Sequence, residues 1–296
     1  MITVSVPATR CGSAWLITPA AASPGRLDIA RTAGADVAVL DLEDSVPHHH
    51  KDAARAAAIG YLAEATGGGT TVLGLRLNAP GTVHGAKDLV AVAESGLRPA
   101  VLVVPKVESA RDVELVAAVL GADEEQRRVW ALIETPRAIQ SLPEILGSRC
   151  MAGVVFGAAD YAAAAGCSPS SSALRYPRSA LACAAAAAGL PAIDSPYFDL
   201  DDPDGLRREA KEAKELGFAG KGAVHPTQLS LIRQAFLPSA QELAAAYTVV
   251  TAANAANGGI TTVNGRMVGP PMVAAARAVT ARASDCAVPD VRGDSS

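Results

Sequence analysis

Short apolar runs alternate with longer segments of helical spacing along most of this chain. The runs Val37–Leu42 and Ala100–Pro105 are almost continuously apolar, which is typical of strands that are covered on both faces. The predicted strands are Ala14–Thr18, Val37–Leu42, Val72–Leu77, Ala100–Pro105, the two runs that open and close the stretch Val129–Asp160, Pro191–Ser195 and Gly220–Val224.

A helix-length segment follows each of these strands, and most of these segments end at or just before a glycine, a usual helix stop. The predicted helices are Arg26–Gly34, Lys51–Ala65, Ala86–Glu94, Ala110–Leu120, Arg137–Leu146, Ser172–Ala188, Pro203–Leu216 and Thr227–Phe236. Eight strand-then-helix units indicate a parallel sheet with covering helices, and their combined length is typical of an α/β TIM (β/α)8 barrel. A doubly wound open sheet is the alternative, but the G-x-G-x-x-G turn that usually marks it is absent from the sequence.

Residues 238–296 continue beyond the eighth unit. They contain a helical segment, Ser239–Ala256, an extended or turn segment, Thr261–Gly269, and a last helix, Met272–Ala283. We therefore predict a catalytic barrel domain over residues 1–237. Residues 238–296 are predicted to form a C-terminal helical extension that acts as a lid or an oligomer arm.

Composition narrows the class of protein. Hydrophobic residues make up 50% of the chain, which is enough for a large core. The formal net charge of −4 provides no electrostatic case for binding nucleic acid or an anionic membrane. No apolar window approaches the length of a transmembrane helix, and the N-terminal residues lack the pattern of a secretory signal. Five widely spaced cysteines without a C-x-x-C motif indicate no disulfide framework or structural zinc, so a cytoplasmic protein is expected.

Polar residues collect where the predicted strands end, and the active site of a TIM barrel lies at that end. These residues are Glu43, Asp44, Arg76, Asn78, Lys106, Glu134, Asp160, Asp194 and His225. Glu134 and Asp160 follow two successive apolar strands. An isolated buried carboxylate is strongly destabilising, so each acid needs a partner. Mg²⁺ takes such oxygen ligands together with water and substrate oxygens. Helix capping or local ion pairing is the alternative for each acid.

Arg76 is the candidate for binding a substrate carboxylate, because its planar guanidinium fits a carboxylate with two parallel hydrogen bonds. Glu43 and Asp44 are expected beside metal-bound water or a reacting hydroxyl group. A metal ion at Glu134 and Asp160, together with Arg76, would stabilise an enolate as its charge develops.

Other polar residues have plainer interpretations. Lys106 and Asp194 are expected to cap or pair at the barrel mouth, and His225 is expected to start a helix. The run His48–His50 is interpreted as a solvated loop, although metal binding is an alternative. Two residues of the following helix fit either a solvated face or contacts to a ligand phosphate: Lys51 and Arg55.

Several short motifs resemble those of the citrate lyase β-subunit family, within the wider HpcH/HpaI aldolase superfamily, and they keep that family's order over nearly the whole chain. They are D-L-E-D-S-V (Asp41–Val46) with Lys51, Ala54 and Arg55, L-R-L-N (Leu75–Asn78), V-P-K-V-E (Val104–Glu108), I-E-T-P (Ile133–Pro136), F-G-A-A-D (Phe156–Asp160) and G-K-G-A-V-H-P (Gly220–Pro226).

The resemblance implies a TIM barrel, usually trimeric or hexameric, whose C-terminal segment lies over a neighbour's active site. It implies Mg²⁺ as the cofactor, with Glu134 and Asp160 as metal ligands. Arg76 and Glu134 would bind substrate, and Arg76, Glu43 and Asp44 would form the catalytic group. The implied chemistry is reversible Claisen-type cleavage of a hydroxyacyl-CoA of the citryl-CoA or malyl-CoA type.

Two departures from the family's pattern bear on this expectation. The C-terminal segment G-R-M-V-G (Gly265–Gly269) has a glycine where the lyase branches carry an aspartate that serves as acid or base. Near the first strand, I-T-P-A (Ile17–Ala20) replaces a loop that often places CoA in relatives. We therefore expect metal and oxo-acid binding to persist. The step on the CoA thioester is expected to be weakened, altered or carried out by another group such as Asp44.

The leading hypothesis is a Mg²⁺-dependent carbon–carbon lyase, forming a homo-oligomer, that acts on a small 2-oxo or hydroxy acid or on its acyl-CoA thioester. One alternative is an aldolase with a substrate that carries no CoA. The other is a barrel without turnover that serves as a binding or scaffold subunit.

Overall fold

The computed structural model of the protein describes residues 12–65, 70–256 and 259–286. Eight parallel strands form a closed barrel in chain order, and the circle closes because β1 pairs with both β2 and β8. The barrel strands are β1 (Ala14–Pro19), β2 (Val37–Asp41), β3 (Val72–Arg76), β4 (Val101–Val104), β5 (Val129–Ile133), β6 (Met151–Phe156), β7 (Ala192–Asp194) and β8 (Gly220–Ala223). Closure confirms the predicted TIM barrel and excludes the open doubly wound sheet.

Side chains from alternate strand positions fill the inside of the barrel. Trp15 and Trp130 meet there edge to face, with their ring centroids 4.6 Å apart. Gly153 lies against the second of these rings, and a Cβ atom at this position would come within 2.3 Å of Trp130. The interior therefore combines two bulky rings with a glycine on β6, the strand next to that of Trp130. The outward-facing residues build a larger apolar layer between the strands and the helices.

Twelve helices are described in all. Ten of them lie in the barrel unit: α1 (Pro24–Thr32), α2 (Lys51–Glu64), α3 (Val83–Ser95), α4 (Ala110–Leu120), α5 (Pro136–Gln140), α6 (Leu142–Leu146), α7 (Ala158–Ala165), α8 (Ser171–Ala187), α9 (Pro203–Leu216) and α10 (Leu229–Phe236). The bounds predicted for α4 and α9 match the structure. In α4, Ser109 and Asp112 form a capping box, and Gly121 ends the helix in the left-handed region.

The single helix predicted over Arg137–Leu146 is wrong. Two short helices, α5 and α6, meet instead at Ser141, whose ψ of 7° departs from helical geometry. Pro143 stands in the first turn of α6, where a proline starts a helix well. Inside one continuous helix, the same proline would remove a hydrogen bond and clash with the preceding turn.

The helix α7 was not predicted. Its sequence, A-A-D-Y-A-A-A-A, shows little contrast between apolar and polar faces, so the periodicity that marks most helices is weak. It begins directly after β6 and ends at Gly166, whose φ of 64° is left-handed. Asp160, predicted at or just past the end of a strand, therefore lies in the first turn of α7.

The chain divides into two compact units, one ending at Phe236 and the other beginning at Leu237. The second unit contains α11 (Ala240–Ala255), an antiparallel hairpin of β9 (Thr261–Val263) and β10 (Arg266–Val268), and α12 (Pro270–Cys286). Asn264 and Gly265 turn the hairpin with positive φ angles of 48° and 75°, as a two-residue turn requires. A role for this unit as a lid or an oligomer arm stays a prediction. The predicted helix stop at Gly67–Gly69 lies outside the described residues.

Across the described parts of the chain, no helix is both long and apolar enough to cross a bilayer.

Candidate active site

A cavity of about 480 Å³ opens at the C-terminal ends of the barrel strands. Its floor is the apolar barrel interior, including Trp15 and Leu132, and its polar wall comes from the strand ends. Polar residues of that wall are Asp41, Asp44, Ser45, Arg76, Glu134, Asp160, Asp194 and Ser195. The cavity thus lies where the fold places active sites, and most of the predicted strand-end residues line it.

Glu134 and Asp160 meet at this mouth although they are carried by different elements. Glu134 directly follows β5 and is 2% exposed, whereas Asp160 lies in the first turn of α7. The side-chain interaction between the two carboxyl groups raises the pKa of Glu134 and lowers that of Asp160. Burial raises the pKa of Glu134 to about 7. Burial also acts on Asp160, but hydrogen bonds from Lys106 and Glu134 outweigh it and lower the pKa of Asp160.

Gly157 lets these elements approach so closely. The strand register pairs Ile133 with Phe156, which places Glu134 beside Gly157. A Cβ atom on Gly157 would lie 2.6 Å from the Glu134 Cβ and 2.7 Å from its Oε2. The glycine of the F-G-A-A-D motif is therefore explained by packing against Glu134, because any larger residue would displace that carboxylate.

Lys106 provides the positive charge next to the two acids. Its Nζ contacts Asp160 and lies 3.3 Å from Glu134 Oε1, and its backbone N–H donates to the same oxygen at 2.8 Å. Its φ of 55° is left-handed, which is costly for a residue with a side chain and is often found at functional sites. Ion pairing at the barrel mouth was the expectation for Lys106, and the structure confirms it. The arginines between the acids in sequence, Arg137 and Arg149, instead pair with other glutamates.

Arg76 lies in the same cavity with three carboxylates around it. Its Nε and Nη2 donate to Asp41 Oδ1 and Oδ2 at 2.6 and 2.7 Å. On its other side, Nη1 lies 3.0 Å from Glu43 Oε2 and 3.6 Å from Asp44 Oδ2. The guanidinium is therefore held rigidly from its buried side.

Asp41 is the residue that the sequence reasoning missed. It is fully buried at the end of β2, where the register makes it the direct neighbour of Arg76 on β3. Besides Arg76, it accepts hydrogen bonds from the Glu43 N–H at 2.8 Å and from the Ser45 N–H and hydroxyl. Burial acts to raise the pKa of Asp41, but the bonds from Arg76 outweigh it and lower that pKa. The available signal was an acid inside an otherwise apolar strand, V-A-V-L-D.

Lys51 and Arg55 also support the site through hydrogen bonds within the protein. Lys51 Nζ donates to the carbonyl oxygens of Leu42 and Glu43 at 2.7 and 2.6 Å, which holds the loop after β2. Arg55 is 7% exposed, and its Nε donates to Asp88 Oδ1 at 2.6 Å. The solvated face predicted as one alternative is therefore wrong for Arg55, whose buried partner Asp88 is 33 residues away in the chain.

Asn78 follows β3 and is fixed by the same network. The other oxygen of Asp88, Oδ2, accepts from both the backbone N–H and the side-chain amide of Asn78 at 2.7 Å. Asp88 is fully buried on α3, so α2, α3 and the end of β3 are joined by charged hydrogen bonds. The strand that carries Arg76 is thereby anchored just beyond that residue.

Glu43 and Asp44, predicted as a pair, lie in different surroundings. The Asp44 side chain is 61% exposed and lines the cavity. Glu43 is 7% exposed, and its Oε2 has no hydrogen bond of acceptable geometry within the described structure despite its closeness to Arg76 Nη1. Burial raises the pKa of Glu43 to about 8, against the attraction of Arg76.

This raised pKa predicts a pH-dependent stability effect of Glu43→Gln in the metal-free protein. In the unfolded chain Glu43 ionises near its ordinary value of 4.5, whereas in the folded chain it keeps its proton to about pH 8. The folded state therefore loses stability relative to the unfolded state as pH rises from about 4.5 to about 8. Glutamine removes this loss, so the free energy of unfolding of the variant, relative to that of the parent, is expected to increase by about 3.5 kcal/mol between pH 5 and pH 8.

Urea denaturation at the two pH values measures this difference. Glu94→Gln, which changes an exposed glutamate of α3, is the matched control and should gain nothing. A difference between the Glu43 variant and the parent that stays constant with pH would show that Glu43 is ionised in the folded protein.

The remaining candidates have partners other than the two acids. Asp194 is fully buried and pairs with Arg178 and Lys221, and His225 caps the 3₁₀ turn Pro226–Gln228, both as expected. The run His48–His50 forms an exposed 3₁₀ turn. Within the described ranges, no three His, Cys, Asp or Glu side chains are placed to hold a metal ion together. A metal at this site would thus have two protein carboxylates, from Glu134 and Asp160.

Two protein-family profiles match this chain. A profile of the family described as "HpcH/HpaI aldolase/citrate lyase" matches residues 17–226, and a second, "C-C_Bond_Lyase of the TIM-Barrel fold", matches residues 181–287. The chain is 35% identical over 281 residues to a citrate lyase subunit beta-like protein of Mycobacterium tuberculosis, covering 93% of this chain and 96% of the relative. It is 32% identical over 262 residues to a (3S)-malyl-CoA thioesterase of Cereibacter sphaeroides, covering 87% and 90% of the two chains.

A solved structure resembles this one over nearly the whole chain. It is the CitE protein of M. tuberculosis in complex with magnesium, acetoacetate and coenzyme A. The two structures superimpose with a TM-score of 0.80 at 35% sequence identity, covering 93% of this chain and 98% of the other.

Proposed function

This chain belongs to the HpcH/HpaI aldolase/citrate lyase family, and we propose that it is a magnesium-dependent carbon–carbon lyase. Its substrate class would be a small 2-oxo or hydroxy acid, or the CoA thioester of such an acid. One observation carries this proposal: the carboxylates of Glu134 and Asp160 converge in the cavity that also holds the Arg76 guanidinium. The M. tuberculosis structure, which contains magnesium, acetoacetate and coenzyme A, supports a magnesium ion, a small oxo acid and CoA as ligand classes.

The residues at the barrel mouth fit a magnesium ion. Mg²⁺ is usually bound by one or two carboxylates and completes its shell with water and substrate oxygens, which need open space. Glu134 and Asp160 supply the carboxylates, and the cavity of about 480 Å³ supplies the space. Lys106 now forms ion pairs with both acids through a side chain that is 37% exposed, so its ammonium group has room to move away when a cation binds. When bound, the cation would supply positive charge opposite the oxygen on which negative charge develops.

Arg76 is assigned the binding of the substrate carboxylate. Asp41 holds its Nε and Nη2, which orients the plane of the guanidinium before any substrate arrives. A positively charged group fixed in this way lowers the entropic cost of orienting an anionic substrate. Glu43 Oε2 lies 3.0 Å from Nη1, on the side of the guanidinium that Asp41 does not hold.

Asp44 is assigned the transfer of a proton to or from the substrate. It lines the cavity beside Arg76, and its exposed carboxylate is free to reach a bound ligand. The C-terminal position at which relatives carry an acid is Gly269 in this chain, which has no side chain to contribute. The acid or base therefore comes from the barrel unit in this proposal, and Asp44 is placed best for it.

The proposal is tested by supplying the purified protein with malyl-CoA, citryl-CoA, malate and citrate, each with Mg²⁺ or with a chelator. Lyase activity predicts Mg²⁺-dependent release of glyoxylate or oxaloacetate together with acetyl-CoA. Cleavage of the free acids alone would replace the proposal with an aldolase that does not use CoA. Release of free CoA thiol together with the intact hydroxy acid would indicate a thioesterase, and metal binding without turnover would indicate a scaffold subunit.

A further inference from the structure

A second cavity, of about 450 Å³, lies against the active-site cavity and shares part of its wall. The shared residues are Ala158, Ala159, Ser195, Pro196 and Phe198. Ala159 immediately precedes Asp160 in α7, so the shared wall begins next to a carboxylate of the proposed metal site. A ligand held at that carboxylate has the second cavity as its neighbouring space.

Small apolar side chains create this space. The face of α7 that borders it presents Ala162 and Ala163, and α8 adds the buried Leu174. An alanine side chain ends at Cβ, so a helix with alanines on one face leaves a recess where larger residues would pack. We call this second space the alanine pocket.

The charged residues that border the alanine pocket are already hydrogen-bonded within the protein. Arg178 donates to Asp194 at 3.1 and 3.0 Å and to Glu212 at 2.9 Å. Glu209 accepts from Lys221 at 2.5 Å, and Asp199 accepts from the Asp201 N–H at 3.0 Å. A charged ligand group would have to compete with these bonds, whereas an aliphatic group needs none of them. The ligand group that fits the pocket is therefore apolar.

Phe198 stands where the two cavities meet. It follows β7, lines both spaces and leaves 61% of its surface exposed. When a ligand covers a large apolar ring that was exposed to water, the burial of that surface makes binding more favourable. An aliphatic chain that runs from the first cavity into the second would cover this ring on its way.

We propose that the alanine pocket binds an aliphatic substituent of the substrate. In this arrangement, a 2-oxo acid held at Glu134, Asp160 and Arg76 extends its alkyl chain past Ala159 and Phe198 into the pocket. The protein then prefers 2-oxo acid units longer than pyruvate, and hydroxyacyl substrates that yield such units on cleavage. This inference rests on the proposed function, because the alkyl substituent reaches the alanine pocket only if the 2-oxo acid is bound at the proposed metal site.

Isothermal titration calorimetry of the full chain with Mg²⁺ and straight-chain 2-oxo acids tests the proposal. The probes are pyruvate, 2-oxobutanoate, 2-oxopentanoate and 2-oxohexanoate. Burial of each added methylene is expected to lower the Kd about fourfold. Ala163→Leu should occupy the part of the pocket next to α7 and remove the increase in affinity with each added methylene. The Kd for pyruvate should stay within about twofold of the parent value.

Ala164→Leu is the matched control, since it makes the same change at the next position of α7, outside the lining of the pocket. In this variant the Kd should still fall about fourfold with each methylene added to the 2-oxo acid. Longer acids that bind no more tightly than pyruvate would overturn the proposal, and so would a gain that survives Ala163→Leu. Failure of pyruvate itself to bind with Mg²⁺ would instead refute the proposed metal site, so the two failures are distinguishable.

Discussion

Replacement of Glu134 by glutamine is expected to lower Mg²⁺-dependent turnover by about a thousandfold, because removal of even one preorganised hydrogen-bond donor at a reacting centre costs about 10²–10³ in rate. Glutamine keeps the shape of the side chain and an oxygen that can still accept the Lys106 N–H, now 2.8 Å from Glu134 Oε1. It removes the negative charge that a divalent cation requires. The variant should therefore fold normally and bind Mg²⁺ weakly.

Turnover measured against Mg²⁺ concentration, together with a thermal melt, checks this result. The control is Glu144→Gln on α6, which changes an exposed carboxylate and should leave both measurements unchanged. Asp160→Asn is expected to behave like the Glu134 variant, because the two carboxylates would hold one ion jointly. Unchanged Mg²⁺ affinity in either acid variant would remove the basis of the proposed function.

Asp41→Asn is expected to reduce both stability and activity. The carboxylate is fully buried and accepts two bonds from Arg76, so asparagine leaves a largely buried guanidinium without its main counter-charge. Breaking such a pair by removing one partner costs about 3 kcal/mol or more of unfolding free energy. Activity should fall by about a hundredfold or more, because Arg76 loses the partner that orients it.

A double variant separates these two effects. Asp41→Asn combined with Arg76→Met removes both charges, so most of the lost stability should return while activity stays low. Urea denaturation and steady-state kinetics of the single and double variants measure the two outcomes. If Asp41→Asn alone left the Kd for an anionic substrate unchanged, Asp41 would have only a structural role.

The repeating apolar runs were sufficient to predict the barrel, and particular residues show why. A strand covered on both faces needs side chains such as those of Val101–Val104, and a helix needs a start such as Ser109 and a stop such as Gly121. These are local requirements that recur in each unit. Where the local signal was weak or misleading, the prediction failed: α7 has an almost uniform alanine sequence, and α5 and α6 separate at Ser141.

The acids of the candidate site were also visible in the sequence, because a carboxylate that follows an apolar strand stands out from its surroundings. Their partners were not visible. Lys106 is separated from Glu134 by 28 residues and from Asp160 by 54, and Asp41 is 35 residues from Arg76. Such pairs come together only because neighbouring parallel strands end side by side at one rim of the barrel.

The amino-acid sequence by itself determined the fold class, the strand ends at which polar groups gather and the family to which the chain belongs. These features depend on the order of residues within short segments, where burial, capping and turn preferences act. Only the tertiary structure decided that Asp41 holds Arg76, that Lys106 pairs with both acids and that the alanines of α7 border a second cavity. Those outcomes depend on strand register and helix placement, which sum many weak contacts over the whole barrel.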